Sequence, residues 1–579
     1  MAQTFEIGLS EKELKKRTHK DYLTTKKMLK EDAPEYLNLA EGDKKALKYL
    51  IKAANILEEA FLKQDNENNI PFREFLKEEI LKGNENAKMT LRLFNAQKGV
   101  NAIDSESSKI HLIKNVEDLK GKGFYPSDLS VEEFHNILIK MIKSGKIKDV
   151  KTVLNQRSMV KREGDELKAF DYTEEFSEEF KKAAELLDEA SLVSTNTDFN
   201  KYLRLQALAL IENNPMADAY ADKKWAELQD TPLEFTVTRE NYQDEMTGTV
   251  FENEELAKLL KEHDINPVAK DALGFRVGIV NKEGTEKLLE IKKHLPALAK
   301  EMPFSNEYLQ LGGDSKEEDI YPQTMVDVDL VKVAGDVGAW RGGITLAENL
   351  PNDDKLSLTI GGGRRNVYHR QIRAVSDWDK LRKRLDATLL KDLHKYYENE
   401  ADHWFTIGHE NAHSLGPSEG LESLGKYKHI IEENKADMAS LALVDKLVEL
   451  GMYTEFQRQQ IIVTFAADNF LKAKPTMSQA HRVRSVMQIY YLMKEGAIKI
   501  DSEGFIHIEI DKMIPAARKM LEEIIRIQIS GNFSQAEKYI QENFVWTDEM
   551  EIIAQKIREI SKTLNGEVEE KLAEKLLGE

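Results

Sequence analysis

The spacing of apolar residues changes twice along this chain, and these changes constrain the fold more than any other feature of the sequence. Over about the first 200 residues, apolar side chains recur every three or four positions, which is the period of amphipathic helices. One such stripe consists of Leu47, Leu50, Ile51, Ala54, Leu57 and Phe61, and a second consists of Phe176, Phe180, Ala183 and Leu187.

Apolar and polar residues alternate in the middle of the chain, which is the period of half-buried strands. The alternating sets are Leu233, Phe235 and Val237, then Phe275, Val277 and Ile279, then Val326, Val328 and Leu330. From about residue 377 to 496 the pattern is helical again. A hairpin is predicted around the turn at 501–504, with two helices after it. These patterns predict a mostly helical α+β protein, and because the sequence has no repeat or long linker, we expect its segments to pack as one body.

Composition excludes several classes of function. The 579 residues include 83 Lys and Arg against 102 Asp and Glu, a formal charge of -19, so neither nucleic acid nor a membrane surface is expected as a partner. The absence of cysteine excludes disulfides, thiolate nucleophiles and Cys-bound metals. The first residues lack the apolar stretch of a signal peptide, and no run reaches the roughly 18 apolar residues of a spanning helix, so we expect a cytoplasmic location.

A His-Glu-x-x-His motif is formed by His409, Glu410 and His413, in a segment of helical pattern that ends at Gly416-Pro417. Side chains four positions apart lie on one face of a helix, so both imidazoles can reach a single zinc ion. Glu410 would then point toward the water that the metal activates.

A catalytic zinc ion requires a third protein ligand, and the next predicted helix offers Glu433 if it returns antiparallel to the first. Asp437, one turn further on, would accept a hydrogen bond from a liganding imidazole, and Glu432 is assigned to the same supporting layer. Without the motif, these three acidic residues would be interpreted as a solvated helix face. His403 and His429 lack the spacing of ligands, and we interpret them as ordinary surface or core histidines.

This ligand set predicts one zinc ion per chain, although another divalent metal stays open as an alternative. Zinc would polarise a scissile carbonyl and lower the pKa of its bound water toward ~7. Glu410 would take the proton and deliver it to the leaving amine, which makes peptide hydrolysis the natural reaction.

Three further segments carry polar residues suited to binding a peptide: Ala347-Glu-Asn349-Leu350-Pro351-Asn352, Glu240-Asn241-Tyr242 and Ser478-Gln479-Ala480-His481. Taken singly, they would be interpreted as a Pro-Asn turn, a rim tyrosine at a strand end and a capping histidine. Together with the metal motif they resemble the dipeptidyl peptidase III family of zinc exopeptidases, from about Gly123 onward.

The resemblance implies a role for each of these residues. Asn349 and Asn352 would hold the substrate backbone and its N-terminus, and Glu240 would receive the amino group. The hydroxyl of Tyr242 would contact the transition state, and the imidazole of His481 would stabilise the developing oxyanion.

The resemblance also implies two lobes with a wide cleft between them: a helical zinc-binding lobe and a mixed lobe with a small β-barrel core. The helical lobe would comprise residues 284–330 and 379–545. The mixed lobe would comprise 1–283 and 331–378, and a C-terminal helix within 546–579 would pack on it.

Two features depart from the family pattern. The motif here has five residues, whereas animal and yeast members have the six-residue His-Glu-x-x-x-His, so the chain looks more like the bacterial and plant branch. Residues from about 249 to 272 form an apparent insertion, which would lie near the mouth of the cleft if Tyr242 lines it. Some members of that branch are joined to a Nudix hydrolase, but the sequence contains no Gly-x5-Glu-x7-Arg-Glu box.

The leading hypothesis is a zinc-dependent hydrolase that releases dipeptides from the N-terminus of short peptides. One alternative is an endopeptidase or another aminopeptidase with the same metal ligands, although the Gly-x-Met-Glu-Asn motif of aminopeptidase N is absent. The other is a non-catalytic peptide-binding protein, which the presence of Glu410 disfavours.

Overall fold

The computed structural model describes residues 5–20, 22–103, 109–212, 214–240, 244–308, 310, 323–336, 347–350, 360, 362–370, 372–373, 375–418, 421–477, 479–560 and 564–578. Its helices are α1 (Glu11–Arg17), α2 (Pro34–Leu37), α3 (Glu41–Asp65), α4 (Asn69–Leu81), α5 (Glu85–Gln97), α6 (Val131–Lys143), α7 (Ile147–Val153), α8 (Tyr172–Glu175), α9 (Ser177–Val193), α10 (Thr197–Ile211), α11 (Pro215–Ala226), α12 (Glu254–Glu262), α13 (Lys282–Lys292), α14 (Leu295–Glu301), α15 (Val375–Thr388), α16 (Asn399–Ala412), α17 (Lys428–Ala442), α18 (Val444–Glu449), α19 (Glu455–Asp468), α20 (Ala480–Lys494), α21 (Ile510–Ser530), α22 (Phe533–Asn543), α23 (Asp548–Ile560) and α24 (Lys571–Gly578). Among these described helices, none combines the length and the apolar character needed to cross a membrane.

The strands are short and belong to five sheets. They are β1 (Leu23–Lys27), β2 (Asn101–Ile103), β3 (Lys109–His111), β4 (Ser158–Glu163), β5 (Glu166–Asp171), β6 (Leu233–Glu240), β7 (Ala272–Val280), β8 (Gln323–Gly335), β9 (Ala347–Leu350), β10 (Arg364–Arg370), β11 (Ile372–Arg373), β12 (Ile498–Ile500), β13 (Ile506–Ile508) and β14 (Leu564–Glu569). One sheet has five strands in the order β6-β7-β8-β10-β9, another has three in the order β11-β1-β14, and the rest are two-stranded hairpins. Helices therefore dominate, as the apolar spacing predicts.

The first hydrophobic core is built around α3, a helix of 25 residues. The predicted stripe on α3 is buried, and α9, which carries most of the second stripe, packs against it. Burying a leucine or phenylalanine side chain contributes about 2 kcal/mol to folding, so these helices owe their stability mainly to this contact. The helical prediction for the N-terminal region is confirmed.

The five-stranded sheet covers the other side of α3. Its pairs β6–β7, β7–β8 and β9–β10 are antiparallel, whereas β8 and β10 run parallel. Every residue of β7 is buried, because α3 packs on one face and further structure covers the other. The three predicted alternating sets fall on β6, β7 and β8, as expected.

The expectation of a β-barrel core is wrong for the described residues. The two edge strands β6 and β9 do not pair with each other, and the sheet stays open. Closure would require a ladder of hydrogen bonds between these two edges, and the described residues pair β9 with β10 alone.

A second hydrophobic core is formed by α13 to α23, and it shares the sheet with the first core. On β8, Val326 belongs to the first core and Met325 to the second. On β10, Val367 belongs to the first and Tyr368 to the second. Alternate residues of a strand point to opposite faces, so these two strands hold the two cores together. The domain boundaries given above stay a prediction.

The C-terminal part differs from the expected two closing helices. The predicted hairpin is present as β12 and β13. After it come α21, α22, α23, then β14 and α24. Buried residues of α23 belong to the second core and those of α24 to the first, so the segment predicted as one helix within 546–579 crosses between the cores.

The apparent insertion at 249–272 is a packed part of the first core. Leu256 and Leu260 of α12 are buried, and α12 packs against α6. The backbone N–H groups of Val268 and Asp271 donate to the carbonyls of Leu154 (3.0 Å) and Gln156 (2.9 Å). These contacts attach both the helix and the returning chain to the N-terminal helices.

Candidate metal centre

The motif helix α16 lies closely against α17. A Cβ atom at Gly408 would be 2.3 Å from Oγ of Ser440, so any other residue at this position beside His409 would require the Ser440 hydroxyl to move. Gly416 has a φ of +89°, in the left-handed region that glycine adopts without strain, and it turns the chain away after the helix. The close approach places the last turn of α16 directly beside α17.

The three predicted metal ligands meet at this contact. Nε2 of His409 lies 3.2 Å from Nε2 of His413, and the two rings are perpendicular at 89°. Oε2 of Glu433, on α17, lies 3.4 Å from Nε2 of His409. One ligand atom from each of the three residues lies within 4.8 Å of the others.

Two acidic residues of α17 contact the imidazoles at the ring nitrogens that do not face the proposed metal position. Nδ1 of His409 lies 2.7 Å from Oδ1 of Asp437, and Nδ1 of His413 lies 2.9 Å from Oε1 of Glu432. An ionised carboxylate only accepts hydrogen bonds, so each Nδ1 carries a proton, and in the neutral form of the ring this leaves the lone pair of Nε2 for a metal. The sequence places Glu432 and Asp437 in this supporting role, and the structure brings both to the histidines.

Charges around Glu433 keep it ionised. Burial raises the pKa of Glu433, but the charge of the His481 imidazole outweighs this effect and holds that pKa well below its usual value. Within the described part of the chain, no donor makes a well-aligned hydrogen bond to Oε2 of Glu433. A buried carboxylate oxygen of this kind is suited to a metal cation.

The donor set fits zinc. Two imidazole nitrogens and one carboxylate oxygen are a known set for catalytic zinc. Ligand atoms about 2.0 Å from a tetrahedral ion lie roughly 3.3 Å from one another. Two of the three separations, 3.2 Å and 3.4 Å, agree with that value, and all three ligand atoms lie within 4.8 Å of one another.

A further layer of buried groups, which the sequence reasoning missed, supports the two carboxylates. Nε2 of Gln528, on α21, donates to Oε2 of Glu432 (2.8 Å), and Nζ of Lys435 lies 2.8 Å from its Oε1. Nε2 of Gln488, on α20, donates to Oδ2 of Asp437 (3.0 Å), which also contacts Arg484. Each carboxylate thus accepts a hydrogen bond from one amide and lies beside one positively charged side chain. Nothing in the spacing of these residues indicates that they meet, because they come from three helices.

Glu410 is buried and lies on the same helix turn as the histidines, with 8% of its surface exposed. It is close enough to raise the pKa of the Tyr368 hydroxyl, second to the effect of burial. The hydroxyl of Tyr368, on β10, donates to the carbonyl of Ile407 (3.4 Å). This contact joins the motif helix to the five-stranded sheet.

His481 lies at the N-terminal end of α20 and faces the same centre. Its Nδ1 is 3.1 Å from Oε2 of Glu433, and its side chain is 52% exposed. The carboxylate of Glu433 raises the pKa of His481, against a smaller effect of desolvation. The structure therefore brings His481 to the metal ligands, on the solvent side.

The remaining predicted residues are described only in part. Glu240 ends β6 and pairs with Ala272, and Asn349 lies on β9 and pairs with Asn366, but the side chains of Glu240 and Asn349 lie outside the described structure. Tyr242 and Asn352 also lie outside the described residues.

The strand register separates Glu240 from Asn349. Asn366, the partner of Asn349, pairs with Met325 near the start of β8. Gly335, at the end of β8, pairs with Gly274, next to the strand end that carries Glu240. These positions lie about 30 Å apart along β8 at about 3.3 Å per residue. Of the two strands, β9 contacts the motif helix α16.

Fold and site together define a mostly helical protein with a His-His-Glu cluster that could hold a metal ion, and solved structures share its fold. No protein-family model matches the chain. The chain is 24% identical to the structure of dipeptidyl peptidase III from Caldithrix abyssi, with a TM-score of 0.77 over 96% of this chain and 98% of that one. It is 20% identical to dipeptidyl-peptidase III from Corallococcus sp. strain EGB, with a TM-score of 0.72 over 95% of this chain and 96% of that one. The chain therefore has the dipeptidyl peptidase III fold, and the resemblance noted from its motifs is confirmed at the level of the fold.

A curated relative carries a different name. The chain is 23% identical over 551 residues to Nudix hydrolase 3 of Arabidopsis thaliana, covering 86% of this chain and 67% of that protein. The 579 residues contain no Nudix box.

Proposed function

We propose that the protein is a zinc-dependent exopeptidase that releases dipeptides from the N-terminus of short peptides, in the cytoplasm. The observation that carries the proposal is the His409–His413–Glu433 cluster, with Glu410 beside it, in a chain with the dipeptidyl peptidase III fold. His409, His413 and Glu433 would hold the metal. When bound, zinc supplies Lewis-acid chemistry that polarises a carbonyl oxygen and makes a water molecule acidic near neutral pH.

Glu410 is the proposed general base and acid. Its carboxylate accepts a proton from the water whose oxygen attacks the carbonyl carbon, and it returns that proton to the amine nitrogen as the C–N bond breaks. A buried carboxylate suits both steps because its surroundings hold it in one place and strengthen its hydrogen bonds.

His481 is the proposed stabiliser of the oxyanion. Its imidazole lies beside the proposed ligand Glu433, and an imidazole N–H at this place can donate a hydrogen bond to a developing negative charge. Its side chain is half exposed and so can be reached from solvent by a substrate. Tyr242 is proposed to contact the same transition state.

Release of dipeptides depends on fixing the free amino group of the substrate. We assign this role to Asn349 and Asn352 first, because β9 lies against the motif helix. Glu240 is proposed to contribute as well, although the register puts it at the far end of the sheet. The two assignments can be separated by mutation.

The decisive experiment compares free and N-acetylated forms of the same pentapeptide, with mass spectrometry of the products. We expect an N-terminal dipeptide from the free peptide and no cleavage of the acetylated one. Internal cleavage of both peptides would instead assign the protein to the endopeptidases. The variant Glu410→Ala is the control for contaminating peptidases.

A further inference from the structure

Lys435 is a fully buried lysine next to the metal centre, with 1% of its side chain exposed. Its Nζ donates to the carbonyl oxygens of Ala412 and Leu415, both at 2.7 Å. It also lies 2.8 Å from Oε1 of Glu432. An ammonium group has three N–H donors, and these three acceptors use all of them.

The two carbonyl groups belong to the end of the motif helix. The last carbonyls of a helix have no partner within it, and they carry its partial negative charge. Ala412 is the last residue of α16, and Leu415 lies in the turn that follows. His413 lies between them. Lys435 therefore holds the backbone on both sides of a proposed metal ligand.

The contact between Lys435 and Glu432 connects Lys435 to the ring of His413 as well. Oε1 of Glu432 accepts from both Lys435 and Nδ1 of His413, while Gln528 occupies its other oxygen. Lys435 and Glu432 both come from α17, which also carries Glu433. One side chain thus sets the position of α16 relative to α17 at the point where ligands from both helices must meet.

We propose that Lys435 is a positioning residue for the metal centre, which fixes the backbone and the ring of His413 relative to Glu433. The inference rests on the proposed zinc site. Lys435 touches neither substrate nor metal and acts through the helix end and through Glu432. Groups that orient metal ligands in this way typically change metal affinity 10- to 100-fold when removed.

The matched control is Lys270, a second fully buried lysine with similar partners in the other core. Its Nζ donates to the carbonyls of Val153 and Asn155 and to Oγ of Ser158, each at 2.6 Å. Lys270→Met and Lys435→Met make the same change in side-chain length, and each removes three polar contacts of a buried amine. Only the second change is made next to the proposed metal ligands.

The test measures the zinc dissociation constant of the metal-depleted full-length protein by competition with a chromogenic chelator, which requires no activity. We expect Lys435→Met to weaken zinc binding 10- to 100-fold, and Lys270→Met to leave it within about twofold of wild type. If Lys435→Met binds zinc as tightly as wild type, the proposal is overturned. Failure of the wild-type protein to bind one zinc ion would instead overturn the proposed function.

A double-mutant cycle with Glu432→Gln tests the path of the effect. The Lys435→Met change should cost less zinc affinity in the Glu432→Gln background than in wild type, and equal costs would overturn action through Glu432. The double variant has no unpaired buried charge, so it serves if Lys435→Met alone does not fold. In that case it should still bind zinc several-fold more weakly than Glu432→Gln, because the carbonyl contacts are lost, and equal affinities would refute the proposal.

Discussion

Nδ1 of His481 lies 3.1 Å from Oε2 of Glu433, so the residue assigned to the oxyanion contacts the residue assigned to complete the metal site. The two come from different helices, α20 and α17. This contact gives His481 a definite position and charge while leaving about half of its side chain open to solvent. It also raises the question of whether His481 serves the metal or the substrate.

His481→Gln answers that question. We expect kcat to fall by 10²- to 10³-fold, the usual cost of removing an oxyanion donor, with KM and the zinc content nearly unchanged. Steady-state kinetics on a dipeptidyl chromogenic substrate and metal analysis of the same sample measure both. Loss of zinc from the variant would show that His481 supports the metal site instead.

Glu410→Gln should abolish proton transfer without disturbing the ligands. General acid and base catalysis typically contributes 10²- to 10⁴-fold, so we expect kcat to fall by at least 10²-fold. Zinc stoichiometry and melting temperature should stay at the wild-type values because the substitution preserves shape. A variant of near-normal activity would remove Glu410 from the mechanism.

Removal of the metal should lower both activity and stability. A ligand that binds only the folded state adds about 2.7 kcal/mol at a free concentration of 100 times its Kd. We therefore expect the chelator-treated protein to be inactive and to melt at a lower temperature, and zinc to restore both. Calorimetry with and without added zinc provides the measurement, and calcium or magnesium should fail to substitute because they prefer all-oxygen ligands.

Asn349→Ala and Glu240→Gln should separate the two halves of the proposed substrate site. Because β9 contacts the motif helix, we expect Asn349→Ala to raise KM at least tenfold and to reduce the preference for free over acetylated peptides. We expect a smaller effect from Glu240→Gln, given the distance along the sheet. Equal effects of the two substitutions would show that the substrate spans both ends of the sheet.

Lys270 should make stability depend on pH. Burial lowers the pKa of Lys270 to about 7 in the folded protein, from 10.5. Between these values the unfolded chain binds more protons, so the free energy of unfolding rises with pH, by up to about 1.4 kcal/mol per unit. Denaturant unfolding at pH 7 to 10 should show the wild type gaining stability relative to Lys270→Met. A constant difference between the two proteins would contradict the lowered pKa.

The periodic elements could be predicted from the sequence because local spacing determines them. The stripes on α3 and α9 reflect one face turned toward a core, and the alternation marks β6, β7 and β8 as strands although both faces of β7 are buried. Closure of the sheet could not be predicted in this way. Which strands pair depends on residues far apart in the chain, and in the described residues the edges β6 and β9 do not pair with each other.

The candidate metal centre was also predictable only in its local features. The sequence alone determined that His409 and His413 share one helix face, because a spacing of four residues does so in any helix, and it indicated Glu433, Glu432 and Asp437 on the next helix. Only the tertiary structure decided that Lys435 would hold the helix end, that Gln488 and Gln528 would support the carboxylates, and that Glu240 and Asn349 would lie at opposite ends of a sheet. These relationships depend on which helices and strands pack together, and that is a property of the whole core rather than of any short segment.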